Sequence, residues 1–360
     1  STQGAAAFGA NINFQTKAVT ANPYAQLQSS AGSFNTWKNA VSAGTGLIND
    51  HLSVDIRLSQ LSSDGYIDRA FAKMKSYFLS AGWYGERSIL RATTFSGKEL
   101  TYQAWGGVPA ELLEKDRTYN PYTYDNEVDD YRQTHYQLHW SYQARRNLNL
   151  NAALHYTLGA GFYEQYKDDE DLEDYLLDPI IIGDETVYST DLIRRKWLDN
   201  GFYGGVFNVN YVNENISITG GAGWNRYDGD HFGKVIWSEF ASNGSINHQF
   251  YFSNGLKTDW NSFAKINYQV IESVNVYADM QYRHIDYVID GNDDDLRDIT
   301  QEHNYDFFNP KAGLSVDLPG NNKIYFSYSV GNREPKRSNF TDSKPGTEIK
   351  PEHLNDFELG

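Results

Sequence analysis

"HYQLHWSYQARRNLNLNAALHYTL", residues 135–158, alternates with a period of two. Tyr136, Leu138, Trp140, Tyr142 and Ala144 carry an apolar side, and His135, Gln137, His139, Ser141 and Gln143 a polar one. After Arg145-Arg146-Asn147 the rhythm resumes in phase with Leu148, Leu150, Ala152, Leu154, Tyr156 and Leu158. Such a period belongs to strands with one greasy and one wet face, and the interruption reads as a tight turn. Pairing Ala144 with Leu148 across it sets Gln137 opposite His155.

The same rhythm recurs along the chain. Val54, Ile56 and Leu58 alternate with Asp55, Arg57 and Ser59; Phe207, Val209 and Tyr211 bracket Asn208 and Asn210. Ala264, Ile266, Tyr268 and Val270, then Val274, Val276, Ala278, Met280 and Tyr282, continue it, as do Ala312, Leu314, Val316 and Leu318. The pattern predicts about 13–14 strands of about ten residues each. Only 110–117, "AELLEKDR", reads as a short helix. Connections alternate in length. Tight ones fall at 46–50, 85–87, 145–147, 213–215, 272–274 and 319–322; long polar ones near 62–72, 106–131, 167–200, 227–259, 290–308 and 331–352.

A tilted strand of about 9–11 residues crosses a bilayer, and membrane barrels have short turns at one end and long loops at the other. The expected fold is therefore all-β, an antiparallel transmembrane β-barrel with its greasy face in lipid and its wet face lining a lumen. Trp83, Tyr84 and Tyr211, beside two tight turns, suit a lower aromatic girdle. The alternative is a soluble multi-sheet β protein, which explains neither the loop asymmetry nor the strand length.

Composition narrows the partners. The 360 residues carry a net charge of −16, which argues against nucleic acid. Tyr contributes 27 residues, and the absence of Cys rules out disulfides and thiolate metal sites. No apolar run approaches the length of a membrane helix. "STQGAAAFG" has no signal-peptide pattern and "NDFELG" ends inside a strand pattern, so we expect an interior piece of a longer protein. A sheet edge cannot face lipid, and single-chain barrels have even strand counts, so closure is expected to need further chain.

"STQGAAAFGANINFQTK" resembles the end of the plug domain in TonB-dependent outer-membrane receptors, through Gly4-Ala5-Ala6-Ala7-Phe8-Gly9 and Asn11-Ile12-Asn13-Phe14-Gln15-Thr16. "PYAQLQSSAGSFNTWKNAVSAGTGL" is similar to that family's first barrel hairpin. "NREPKRSNFTD" with "IKPEHLNDFELG" resembles its late-barrel segment, with Arg333, Pro335, Arg337, Pro351, Glu352, Glu358, Leu359 and Gly360 in matching places. The resemblance implies the plug's C-terminal end at 1–17 and an incomplete barrel at 18–360, part of a 22-stranded whole. It implies active import of a scarce ligand, a ferric siderophore or similar metal complex of the siderophore or cobalamin type, across the outer membrane of a Gram-negative cell. The inner-membrane TonB complex, outer-membrane lipid and a small metal chelate are then the partners, and a surface lipoprotein cap remains open. The alternatives are a passive channel or surface adhesin, and an outer-membrane hydrolase.

Three histidines, His135, His139 and His155, share the wet phase. Neutral imidazoles placed this way could bind a transition metal; the other reading is a hydrated wall. In the loop "TYNPYTYDNEVDDY", Tyr119, Tyr122, Tyr124 and Tyr131 offer flat amphipathic faces for a ligand, or pack on one another. The acidic runs 168–174 and 293–295 lack calcium-loop spacing and read as solvated loop charge. No motif for nucleophilic, metallopeptidase or phosphate-binding chemistry is present, so no enzyme activity and no cofactor are expected.

Overall fold

The computed structural model describes Thr16 and residues 19–240, 243–320, 322–344 and 347–360. The expected plug end at 1–17 lies outside the described residues, Thr16 excepted. The first seven strands are β1 (Tyr24–Gly32), β2 (Thr36–Gly44), β3 (Leu52–Ser63), β4 (Ala72–Tyr84), β5 (Ser88–Tyr102), β6 (Val128–Arg145) and β7 (Leu148–Asp171). A small hairpin, β8 (Ile180–Ile182) with β9 (Glu185–Val187), interrupts the series. It resumes with β10 (Ser189–Val212), β11 (Ile216–Ser238), β12 (His248–Ile271), β13 (Val274–Gly291), β14 (Gln301–Leu318), β15 (Asn322–Arg333) and β16 (Glu352–Leu359). Apart from the small hairpin they form one 14-stranded antiparallel sheet in chain order.

Burial is inverted relative to a soluble β protein. Leu154 is 59% exposed and Leu58 53%, whereas Ser80 is 2% and Arg283 1% exposed. Burying a large aliphatic side chain is worth about 1.5–3 kcal/mol in water, so a face lined with exposed Leu, Ile, Tyr and Trp needs a lipid solvent. That inversion excludes the soluble alternative. The antiparallel ladder satisfies the backbone groups that lipid cannot.

Gln137 stands opposite His155, as the opening stretch predicts, and Gln143 opposite Asn149. A bulge between Gln143 and Arg145 then sets Arg145, rather than Ala144, against Leu148. The extra residue is absorbed at the turn and the register of the wall is kept.

Strand length differs from expectation. β7, β10 and β12 have 24 residues each and β11 has 23. Much of the stretches read as loops at 167–200 and 227–259 is therefore paired strand. Above the bilayer both faces of a strand meet water, so the hydropathic alternation fades while the hydrogen-bonded ladder continues. The remaining long connections are 64–71, 103–127, 172–188, 239–247, 292–300 and 334–351, all at the end opposite the tight turns. The other connection at that end, 33–35, is short. The helix expected at 110–117 shrinks to one 3₁₀ turn at Ala110–Leu112. A short helix, α1 (Arg337–Thr341), lies in the connection after β15.

Candidate ligand-binding site

The inner, polar face at the loop end is built from cross-strand rows. One runs Glu99, Tyr131, Gly161, Leu198, His231, Ser253 across β5, β6, β7, β10, β11 and β12. The next runs Thr101, Asp129, Tyr163, Lys196, Gly233, Tyr251. Most of these residues, all but Thr101, Gly233 and Ser253, line a recess of about 340 Å³. Glycine gives it depth. A Cβ on Gly233 would stand 2.3 Å from Tyr251 Cε1, so only glycine lets that ring lie across β11.

Two connections fold inward over this face. In 292–300, Asp294 pairs with Lys196, and burial together with Asp294 raises the Asp293 carboxyl above its ordinary range. In 334–351, Phe340 is buried against Tyr287, Ile289 and Ile299 and stacks on His303 at 4.1 Å. Arg297 holds the same segment by donating to the Thr341 and Ser343 carbonyls at 2.5 and 3.0 Å. Glu334 meets Lys257 at 2.5 Å and Arg283 at 3.3 Å, and Arg283 also pairs with Asp259. Burial would raise the Glu334 carboxyl, but Lys257 and Arg283 outweigh it and hold the pKa at about 2. Arg337 donates through Nη2 to Ser253 at 2.8 Å, while its buried Nη1 has no hydrogen-bond partner among the described residues.

The residues singled out in the sequence separate here. Tyr131 lines the recess. Tyr124 instead donates its hydroxyl to Glu164 at 2.8 Å, on the strand face that carries Leu158. Burial and that carboxylate raise the Tyr124 pKa. The carbonyl of Tyr122 accepts from Arg69 and Tyr102, and Tyr119 is half-buried in the same connection. His135 bonds Thr157 at 3.0 Å and Gln133 at 3.2 Å, His139 meets Gln137 at 3.4 Å, and His155 reaches Asn225 at 2.8 Å. Each imidazole thus has its own neighbour, and among the described residues no group of three or more His, Cys, Asp or Glu is placed to hold a metal ion. Tyr163, Lys196 and Tyr251 were missed in the sequence; Lys196 lies in a stretch read as loop. The usable signal was the spacing of Gly161 and Gly233 among aromatics.

The chain is similar to solved outer-membrane receptors. The ferric-catecholate import receptor Fiu of E. coli K12, in its closed form, superimposes with a TM-score of 0.73 at 14% identity, over 96% of this chain and 56% of that one. The siderophore receptor PiuA of Acinetobacter baumannii gives 0.72 at 12%, over 96% and 55%. The copper transporter OprC gives 0.71 at 12%, over 96% and 52%. At such identities the likeness speaks for the fold, and the chain spans little more than half the length of these structures. None of the curated proteins matches by sequence. The profile of the family described as "TonB dependent receptor-like, beta-barrel" matches residues 76–360. With most of its length matched and its inverted sheet in place, the chain belongs to the TonB-dependent receptor-like β-barrel family, whose place is the outer membrane of Gram-negative bacteria.

Proposed function

We propose that the chain forms the ligand-receiving wall of an active importer for a small metal chelate, of which a ferric siderophore is the leading example. The family is one of transporters rather than enzymes. The carrying observation is the recess where Tyr131, Tyr163 and Tyr251 surround Lys196 beneath two inward segments. Tyrosine rings bind flat ligands with few rotamers to freeze, and Lys196, set against Asp294 and the lining carboxylates Glu99 and Asp129, gives a chelate's oxygen donors one cation to exchange onto. An incoming carboxylate or phenolate would compete with Asp294 for Lys196 and loosen 292–300 as it binds. Fiu and PiuA are named as ferric-catecholate and siderophore receptors, and OprC as a copper transporter, which supports the chelate class. The TonB complex supplies the work of uptake.

The test uses the full-length protein in cells and in detergent. Ferric catecholate, hydroxamate and citrate chelates are titrated against it, with tyrosine and tryptophan fluorescence as readout. Lys196→Ala and Tyr163→Ala should each weaken the best chelate about tenfold. Uptake of that chelate should stop when an uncoupler collapses the proton-motive force, although binding persists. Uptake that ignores the uncoupler would replace this reading with a passive channel.

A further inference from the structure

The outer face carries a second recess that import does not use. Lys75 on β4 stands directly opposite Lys98 on β5, and Lys98 directly opposite Arg132 on β6. Three like charges in one cross-strand row repel one another unless something neutralises them. All three are exposed, on a chain whose net charge is −16. Only Lys98 has an ion pair among the described residues, with Asp130 at 3.0 Å. They line a groove of about 700 Å³ whose floor includes Tyr77, Tyr136 and Leu158. The one carboxylate lining it, Asp199, lies two strands beyond Arg132, across Ala160, at roughly 9–10 Å between backbones.

The groove continues toward the tight turns. Through Tyr136 it meets an apolar trough of about 420 Å³ walled by Leu79, Leu138, Leu154 and Tyr156. Counted from the turn at 85–87, Lys75 and Lys98 stand where the roughly 9–11 residues that cross hydrocarbon run out. Cations thus sit at headgroup depth, directly above a channel of acyl-chain character. A free anion would use only the upper half, and an uncharged lipid only the lower.

We infer that this face binds a phosphorylated lipid of the outer leaflet, with its phosphate on Lys75, Lys98 and Arg132 and an acyl chain in the trough below. The inference rests on the chain's place in the outer membrane and not on what it imports, so failure of the import reading leaves it intact.

The experiment takes the full-length protein in neutral detergent and titrates phosphorylated lipid A, the same lipid A stripped of phosphate, and inorganic phosphate. Phosphorylated lipid A should bind, and the joint variant Lys75→Gln with Arg132→Gln should bind it about 30-fold more weakly. Lys323→Gln, which removes one charge from an exposed lysine beside the tight turn at 319–321, should have no effect. The charge-keeping pair Lys75→Arg with Arg132→Lys should retain binding, which separates lost charge from a misfolded barrel. Equal binding of the two lipids, displacement of the lipid by equimolar inorganic phosphate, or an unaffected double glutamine variant would each overturn the assignment.

Discussion

The two ends of this sheet obey different rules. Toward the tight turns, the wall divides lipid from a polar interior, and each residue's neighbour two positions along meets the same medium. Toward the loops, strands such as β7, β10, β11 and β12 outrun the bilayer and meet water on both sides. There the connections 172–188, 292–300 and 334–351, rather than lipid, supply the apolar burial: Leu172, Tyr175 and Leu177 pack in the cluster with Tyr251, and Ile299 and Phe340 in a second one. One end is held by solvent contrast and the other by loop packing. Variants at the two ends should therefore fail differently.

Phe340→Ala tests the loop end most severely. Removing a buried Phe side chain costs about 3–5 kcal/mol in a core. Here that loss should fall on the inward segment alone. Amide exchange across 337–343 should accelerate at least about 100-fold while the thermal midpoint of the barrel holds. A barrel that melts in step with the segment would erase the distinction between the ends.

Leu154→Arg tests the belt. Leu154 lies on the lipid face, midway between the turn at 146–147 and the loop end of the span. An Arg there should cost about 2–4 kcal/mol of folding free energy in bilayers, measured by denaturant titration. Gln137→Arg, on the adjacent strand but the inner face, should cost little. Equal costs would mean the two faces do not meet different media.

Gly233→Ala comes next. Its Cβ would press on the Tyr251 and Phe250 rings, and overpacking of that kind costs about 1–3 kcal/mol. Chelate binding should weaken about tenfold as Tyr251 shifts. Gly97→Ala, where an added Cβ meets nothing within 4 Å, should leave it unchanged.

The contrast between the ends also explains what could be read from residues alone. The stretch from Tyr136 to Leu158 gave its register, down to Gln137 opposite His155, because lipid and water enforce a period of two. The same reasoning stopped at Lys167, where polar side chains on both faces erase the alternation although β7 runs on to Asp171. Lys196 and Tyr251 were invisible as site residues for that reason. Tyr131, read as a loop aromatic, lies instead on β6 and faces the recess, whereas Tyr124 is carried to Glu164 by a loop path that no periodicity encodes. For the histidines the inner phase was legible. The partner Asn225 was not, since it sits on β11, two strands from His155.

The smallest expected effect is a pH response that sets the two inward segments against each other. Glu334 is held at about 2, below its ordinary 4.5, so its ionised form stabilises 334–351. That contribution is complete above pH 4.5 and is lost as pH falls toward 2. Asp293 shifts the opposite way, raised above 3.8 by burial and by Asp294. Its neutral form is the one the fold favours, so its contribution is present at low pH and lost as pH rises through the raised value. With the intrinsic pH dependence of exchange divided out, amide protection should therefore be flat across 337–343 from neutral pH down to about 5, then fall on further acidification. Over 292–300 protection should rise as acid neutralises Asp293. Glu334→Gln should remove the acid limb from the first segment and leave the second as it was. If both segments instead loosen together at one pH, they form a single cooperative lid, and the loop end would have to be treated as one body.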